Sequence, residues 1–297
     1  MLGCLSLRGR TAPFRRSSAL VGVLAISSMA LASCATPPPT GAYADRAYRA
    51  ERIDDLNYGA AIDEYGDLEQ LDLTMFRPVG ADGPRPAIVF IHSGAFTGGY
   101  RSEQDSMAEE YAERGYVTVT ITYRLHEGAW IWFNTPSDIA LQAARDARHD
   151  AQASVRWLRA NAAEYGIDPG HIGAVGYSAG AITAIGVGEH PEDPGDSGTP
   201  GESSRICVAV SISGIAVEGN VQPDDAEVLM FHGGADVIVP TAYARQSAWE
   251  AGKAHRLAGY VEFPKIGHTV PQQRRAELTP TMTRVLKEYL VDKPPCA

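Results

Sequence analysis

The sequence predicts an α/β fold in which helices cover both faces of a mostly parallel sheet. From about residue 57 onward, strand-like and helix-like segments alternate along the chain. Some strand-like segments, such as AIVFIH at 87–92, are short and continuously apolar, which is typical of parallel strands buried on both faces. The segments between them have helical periodicity, and the longest covers residues 137–163. This alternation indicates parallel strands joined by helices.

Each predicted element has its own supporting pattern. Residues 68–77 alternate like a half-exposed edge strand, whereas YVTVTITY at 116–123 is rich in β-branched residues. The predicted strands are 68–77, 87–92, 116–123, 171–177, 207–213, 228–232 and 259–263, and the predicted helices are 102–114, 137–163, 179–187, 241–255 and 271–290. The stretch 189–204 lacks the ligand spacing of a calcium loop, so we predict a solvated loop. Residues 215–227 leave little room for a lid domain.

Residues 1–33 have the features of an export signal. Four arginines precede an apolar run at 19–33 that is too short to span a bilayer comfortably. The run ends in Leu-Ala-Ser-Cys at 31–34, which resembles the lipobox of bacterial lipoproteins, where the cysteine is lipidated. We therefore predict a lipoprotein-type signal peptide at 1–33, lipidation of Cys34, a Pro-rich tether at 34–56 and one folded domain at 57–297. Ordinary secretion remains the alternative, since Ala-Leu-Ala at 30–32 fits a cleavage site.

This signal predicts that the protein lies in the cell envelope. A lipid at Cys34 would hold it at the outer membrane or periplasm of a Gram-negative cell, or otherwise on the outer face of the cell membrane. Without residues 1–33 the chain has 22 basic and 36 acidic residues, a formal charge of −14. An acidic surface argues against binding nucleic acid or anionic lipid, so we expect membrane contact through the anchor alone.

Two cysteines, Cys207 and Cys296, remain in the folded domain. In an oxidising compartment they form either a disulfide that holds the C-terminal tail or two unpaired thiols. The sequence has no CxxC motif and no His/Cys cluster with metal-ligand spacing. We expect no metal and no cofactor.

The strongest motif is GYSAG at 176–180. It follows the apolar strand-like segment IGAV and precedes an Ala-rich helical pattern, which is the context that a G-x-S-x-G nucleophile requires. Ser178 would then lie in a sharp turn at the carboxyl edge of the sheet, near the positive end of the following helix. We predict that Ser178 is a nucleophile.

A serine nucleophile needs a base and an acid that orients the base. His268 follows the last predicted strand and precedes the last helix, so its loop lies at the same sheet edge as Ser178. Asp236 follows the preceding strand across a Gly-Gly turn, whereas Asp224 and Asp225 come before that strand and lie at its other end. His232 ends a strand and is predicted to be structural. The histidines in loops or on helix surfaces are predicted to be solvated: His126, His149, His171, His190 and His255. Ser178, Asp236 and His268 are the predicted catalytic residues.

From about residue 58 to residue 290 the chain resembles an α/β-hydrolase of the carboxylesterase or hormone-sensitive-lipase-like group, which includes bacterial and feruloyl-esterase-like enzymes. The similarity lies in IHSGAF at 91–96, GYVTVTITYRL at 115–125, the block ending in GYSAG, FHGGADVIVP at 231–240 and GHTV at 267–270. The order Ser, Asp, His also matches that group. The resemblance implies an eight-stranded, mostly parallel sheet and ester hydrolysis through an acyl-enzyme.

The same resemblance gives a role to HSGA at 92–95. In these esterases a His-Gly-Gly-Gly motif after the third strand supplies oxyanion-hole amides. Here Ser93 and Ala95 replace two of the three glycines. Carried across by position, the donors are the N–H groups of Gly94, Ala95 and Ala179. One such donor contributes about 3 kcal/mol to transition-state stabilisation.

The substrate is the least specified part of the prediction. Trp130, Trp132 and Phe133 lie after the strand at 116–123, where they either wall an acyl or aromatic pocket or pack on the body of the domain. Phe96 and Tyr177 are weaker substrate-binding candidates. With no evident lid in the sequence, we expect an open site, which favours soluble or polymeric esters over long-chain emulsified lipid. The alternatives to an esterase are a serine peptidase of the prolyl-oligopeptidase type, although the chain has no room for a propeller domain, and a non-catalytic lipid-anchored binding protein on a hydrolase fold.

Overall fold

A computed structural model describes residues 39–129, 137–191, 193–217 and 221–297. The strands are β1 (Ala50–Ile62), β2 (Leu68–Pro78), β3 (Arg85–Ile91), β4 (Val117–Ile121), β5 (Ile167–Tyr177), β6 (Val208–Ile212), β7 (Glu227–Gly233) and β8 (Leu257–Phe263). The α-helices are α1 (Asp105–Ala112), α2 (Asp138–Ala160), α3 (Ala162–Tyr165), α4 (Ala179–Glu189), α5 (Thr241–Lys253) and α6 (Val270–Lys287). A 3₁₀ turn at Arg101–Gln104 precedes α1, and a π turn at Glu288–Asp292 follows α6. None of the helices within these ranges combines the length and the apolar character of a membrane span.

All eight strands form one sheet in the order β1-β2-β4-β3-β5-β6-β7-β8. The pairs β1–β2 and β2–β4 are antiparallel, and the other five pairs are parallel. The predicted fold class is therefore confirmed. Since β3 to β8 run in the same direction, the loops that follow their carboxyl ends meet at one edge of the sheet.

The central strands are buried on both faces. Along β3, Val89 and Ile91 contact the apolar cluster that includes residues of α2, α4 and α5, whereas Ile88 and Phe90 contact the cluster that includes residues of α1 and α6. Burying both alternating sets explains why this segment reads as a continuous apolar run. The resulting double layer of helices leaves the sheet edges as the places where loops can carry function.

The folded body begins earlier than the predicted boundary at residue 57. Strand β1 starts at Ala50 and pairs along β2, and upstream of it the Tyr43 ring packs against Tyr116 with centroids 5.0 Å apart. The second half of the predicted tether at 34–56 is therefore part of the domain. β1 escaped prediction because it is an edge strand with mostly exposed or half-exposed positions, and so it lacks a continuous apolar run.

Two cross-connections hold the side of the molecule away from the carboxyl strand ends. Cys207 and Cys296 form a disulfide that joins the start of β6 to the C-terminal tail. The 189–204 stretch, which we predicted to be solvated, is anchored to α2 in its described part: the Arg156 guanidinium donates to the carbonyls of Ser197 and Thr199. Long-range contacts of this kind are not visible in local composition.

Candidate active site

The three predicted catalytic residues lie at the carboxyl edge of the parallel strands. Ser178 follows β5, Asp236 follows β7, and His268 lies between β8 and α6. In the sheet these strands stand in the order β5-β6-β7-β8. Three loops that are far apart in sequence therefore converge over adjacent strands.

Ser178 occupies a strained turn between β5 and α4. Its φ of 55° and ψ of −118° are unusual for a residue with a side chain, and its N–H donates to the carbonyl of Ile212 at 2.9 Å. The flanking glycines are required by space. A Cβ on Gly176 would lie 2.0 Å from the carbonyl oxygen of Gly180, and a Cβ on Gly180 would lie 2.2 Å from that of Ile91. The turn is the sharp strand-to-helix elbow that exposes a serine hydroxyl.

A continuous hydrogen-bonded chain joins the three side chains. The Ser178 Oγ lies 2.8 Å from His268 Nε2, and His268 Nδ1 lies 2.8 Å from Asp236 Oδ2. The second oxygen of Asp236 accepts the N–H groups of Ile238 and Val239 at 2.9 and 3.0 Å. The carboxylate is fully buried and held from both sides, so it fixes the imidazole ring toward Ser178.

The loops that carry the acid and the histidine are bonded to each other. The N–H of Ala235 donates to the carbonyl of Ile266 at 2.9 Å, and a Cβ on Gly233 would lie 2.1 Å from the carbonyl oxygen of Gly267. The His268 carbonyl accepts the Ser213 hydroxyl at 2.9 Å. The Gly-Gly turn after β7 thus allows the close approach that places Asp236 beside His268.

His232 contacts the loop that carries Asp236. It is fully buried, its Nε2 donates to the Val239 carbonyl at 2.9 Å, and the same nitrogen lies 3.5 Å from Asp236 Oδ2. Burial lowers the pKa of this imidazole, which favours the neutral form. Its contacts to the Asp236 loop agree with the structural role we predicted.

The loop after β3 carries the predicted oxyanion-hole amides. Gly94, Ala95 and Phe96 have successive positive φ values of 120°, 55° and 64°. Within the described parts of the chain, the N–H groups of Gly94, Ala95 and Ala179 have no hydrogen-bond acceptor. That of Ala179 is free because it opens α4. The close contact between Gly180 and the carbonyls of Ile91 and His92 brings this loop against the start of α4.

Tyr123, at the end of the β4 region, holds the base of the same loop. Its hydroxyl donates to the carbonyls of His92 and Ser93 at 3.1 and 3.2 Å, and its ring stacks on the His92 imidazole with centroids 4.2 Å apart. His92 Nδ1 lies 2.6 Å from the Ser93 carbonyl. Burial lowers the pKa of His92, so the imidazole stays neutral beside the site. Sequence reasoning missed Tyr123, because no local motif marks it.

The weaker substrate-binding candidates differ in where their side chains lie. Tyr177 lies beside the histidine, with its ring 5.5 Å from that of His268, and burial followed by the negative charge of Asp236 raises its pKa to about 12. Phe96 is fully buried in the core and packs edge-on against Tyr123, so its ring does not face an open site. Trp130, Trp132 and Phe133, like the predicted lipidation site Cys34, lie outside the described residues.

A second polar cluster lies beneath the loop at 193–198. Donor atoms of Asp146, His149 and Asp196 come close enough to hold a cation. However, the Arg124 guanidinium lies 2.9 Å from Asp150 and 2.8 Å from Asp196, and so it already supplies positive charge there. We assign this cluster to anchoring the loop on α2. It also shows that His149, predicted to be solvated, is buried.

Comparisons with known proteins find similarity to esterases and carboxylic ester hydrolases. Residues 71–195 match the BD-FAE family model, a range that includes Ser178 and ends before Asp236. The chain is 30% identical over 173 residues to the probable carboxylic ester hydrolase LipM of Mycobacterium tuberculosis, covering 57% of this chain and 36% of LipM. It is 32% identical over 127 residues to the chlorogenic acid esterase of Aspergillus niger, covering 39% of this chain and 24% of that enzyme.

Among solved structures, the esterase Est2 of Thermogutta terrifontis with propionate bound superposes with a TM-score of 0.61 at 25% identity. The match covers 82% of this chain and 94% of Est2. By contrast, the chain spans 36% or less of the two curated relatives. The chain has the α/β-hydrolase fold and is similar to carboxylic ester hydrolases and esterases.

Proposed function

We propose that the protein is a serine carboxylic-ester hydrolase that acts through Ser178, His268 and Asp236 and an acyl-enzyme intermediate. The observation that carries this proposal is the chain of two 2.8 Å contacts from Ser178 through His268 to Asp236. Its support is geometric, because a nucleophile, a base and an orienting acid stand within hydrogen-bonding reach of one another.

In the first half of the proposed reaction, Asp236 holds the proton of His268 on Nδ1, which leaves Nε2 free to accept. His268 removes the hydroxyl proton of Ser178 while the oxygen attacks the ester carbonyl. The N–H groups of Gly94, Ala95 and Ala179 stabilise the developing oxyanion, since none of them has an acceptor in the described protein. Protonated His268 then gives its proton to the departing alcohol, and the acyl group remains on Ser178.

In the second half, water takes the place of the alcohol. His268 removes a proton from this water as it attacks the acyl-enzyme, and the same amides hold the second oxyanion. Collapse of the intermediate returns the proton to Ser178 and releases the acid.

Short or polymer-linked acyl esters are the proposed substrate class. The described residues between β6 and β7, 213–217 and 221–226, form no helix or strand, which favours substrates that enter an open site. Est2 binds propionate, and the relative from Aspergillus niger is a chlorogenic acid esterase. Both point to compact acyl groups as the first substrates to assay.

The test compares the mature domain with Ser178→Ala on p-nitrophenyl esters of increasing acyl length and on methyl ferulate. We expect wild type to hydrolyse the short esters, to be labelled by a fluorophosphonate and to lose both properties in Ser178→Ala. Equal rates in wild type and variant, with no labelling of wild type, would indicate a non-catalytic binding protein. Cleavage of acyl-prolyl amides without ester hydrolysis would indicate a peptidase.

We further propose that Cys34 carries a lipid that holds the enzyme in the cell envelope. The support is the Leu-Ala-Ser-Cys pattern after an apolar run. Radioactive palmitate should label the full chain expressed in bacteria but not the variant Cys34→Ala. A secreted, unlabelled wild type would contradict this localisation.

A further inference from the structure

One carboxylate bridges the two ends of the loop at 93–100. The Ser93 hydroxyl donates to Glu103 Oε2 at 3.1 Å, and the backbone N–H of Tyr100 donates to Glu103 Oε1 at 3.2 Å. Glu103 lies in the 3₁₀ turn that follows the loop. One side chain therefore bonds to both ends of the loop that carries the amides of Gly94 and Ala95.

The segment inside this closure is under local strain. Ala95 and Phe96 both have positive φ values, 55° and 64°, which cost about 1–2 kcal/mol each for residues with side chains. Inside the loop, the Gly94 carbonyl accepts the N–H groups of Thr97 and Gly98 at 3.0 and 3.1 Å. These internal bonds shape the turn, and the Phe96 carbonyl ties its middle to the N–H of His126 at 2.8 Å. Tyr123 holds the β3 side, and Glu103 supplies the link to the side that leads into α1.

The charge of Glu103 argues against a direct part in the reaction. A carboxylate near a developing oxyanion raises the energy of that oxyanion. Glu103 also contributes to raising the pKa of Tyr177, so its field reaches the site. Its side chain is exposed, which screens this charge, and both of its oxygens are engaged by donors. The favourable contribution of Glu103 is then the geometry of the loop.

We propose that the Ser93–Glu103 hydrogen bond positions the amides of Gly94 and Ala95, and that both residues act as positioning residues of the oxyanion hole. The inference rests on the proposed esterase function. Ser93 stands where the esterases that this chain resembles have a glycine, so this bond uses a side chain that their motif lacks. The serine thus ties down a loop that also carries a side chain at residue 95.

The kinetic test uses Ser93→Ala, Glu103→Ala, their double variant and Glu103→Gln on p-nitrophenyl acetate. Ser93→Ala spares the Tyr100–Glu103 bond, which separates positioning from capping of the 3₁₀ turn. We expect kcat to fall about tenfold in both Ala variants and KM to stay within twofold. Removing a whole oxyanion-hole donor lowers kcat by about 10²–10³-fold, and displacing one should cost less. The double variant should match Glu103→Ala, because Ser93→Ala removes no bond that Glu103→Ala leaves in place. Glu103→Gln keeps an acceptor for Tyr100 and a partner for Ser93, so it should retain at least half of kcat.

Glu109→Ala, which removes another exposed carboxylate nearby on α1, is the matched control and should leave kcat unchanged. Hydrogen exchange of the peptide covering 93–100 gives a readout that needs no activity, and it should speed up in Ser93→Ala at an unchanged melting temperature. An active wild type with unaffected Ala variants, multiplicative losses in the double variant, or unchanged exchange would overturn the inference. A wild type without esterase activity would overturn the proposed function. Faster exchange in Ser93→Ala would still establish that the Ser93–Glu103 hydrogen bond holds the loop.

Discussion

Replacing Asp236 with Asn changes one atom of a buried side chain that has three hydrogen bonds. Asn can keep its Oδ1 on the N–H groups of Ile238 and Val239, so the loop retains its anchors. Its NH₂ group then faces His268 Nδ1 at the position of the present 2.8 Å contact. Two N–H donors do not bond to each other, and therefore the imidazole places its proton on Nε2. In that tautomer His268 presents N–H to Ser178 and no longer accepts the hydroxyl proton.

The expected loss follows from that tautomer. An Asp-to-Asn change in a serine triad with intact geometry lowers kcat about 10⁴-fold, which corresponds to about 5 kcal/mol of transition-state stabilisation. The melting temperature should change little because both backbone bonds persist. Steady-state kcat on p-nitrophenyl acetate and the rate of fluorophosphonate labelling measure the effect, with circular dichroism as the check on folding. Asp224→Asn is the matched control, since that exposed residue precedes β7 at the opposite edge of the sheet.

A folded Asp236→Asn variant that keeps more than a tenth of wild-type kcat would refute this reasoning. It would mean that the contact between Asp236 and His268 does not set the tautomer during catalysis. A comparable loss in Asp224→Asn would point instead to a general effect of charge.

Three further predictions concern stability. Removing the disulfide by Cys207→Ala with Cys296→Ala should lower the free energy of unfolding by about 4 kcal/mol, because the bond spans 89 residues, and leave kcat unchanged. Urea titration with and without reductant measures the first effect, and the p-nitrophenyl acetate assay measures the second. Gly180→Ala puts a Cβ 2.2 Å from the last carbonyl of β3 and should destabilise by about 2 kcal/mol in thermal unfolding, whereas Gly252→Ala, with its nearest neighbour at 3.9 Å, should be nearly neutral. Burial lowers the folded-state pKa of His232, so the unfolded chain binds more protons below about pH 6.5. The free energy of unfolding should therefore fall as the pH drops from 7 toward 5. If His232→Gln leaves this pH dependence unchanged, the assignment is wrong.

How far the fold could be predicted depended on burial. Strands β3, β4, β6 and β7 were visible because burial on both faces makes their sequences mostly apolar or β-branched, as in β3. Strand β1 has little such signal, since its positions are mostly exposed or half-exposed and several are charged. The anchoring of the 193–205 region by Arg156 and Arg159 was also invisible. Such pairings join residues about 40 positions apart, and local pattern does not encode them.

The proximity of Ser178, Asp236 and His268 could be predicted for a different reason. G-x-S-x-G constrains a turn through local sterics, so its context alone indicated an elbow. The other two residues followed from topology, because parallel strands deliver every following loop to one edge. Tyr123, Ser213 and Glu103 could not be found this way, since they act through contacts to backbone or to a single hydroxyl.

The two departures from the glycine motif also have a local explanation. Gly94 has a φ of 120°, and a Cβ there would lie 1.9 Å from the carbonyl oxygen of Gly98. This position excludes any side chain, and it is the one at which the chain keeps glycine. Ala95 has a φ of 55°, which a small side chain adopts at moderate cost, and Ser93 lies outside the left-handed region altogether. The substitutions thus fall at the two positions where the backbone admits a Cβ, and the amides that the proposed chemistry uses do not depend on side-chain identity.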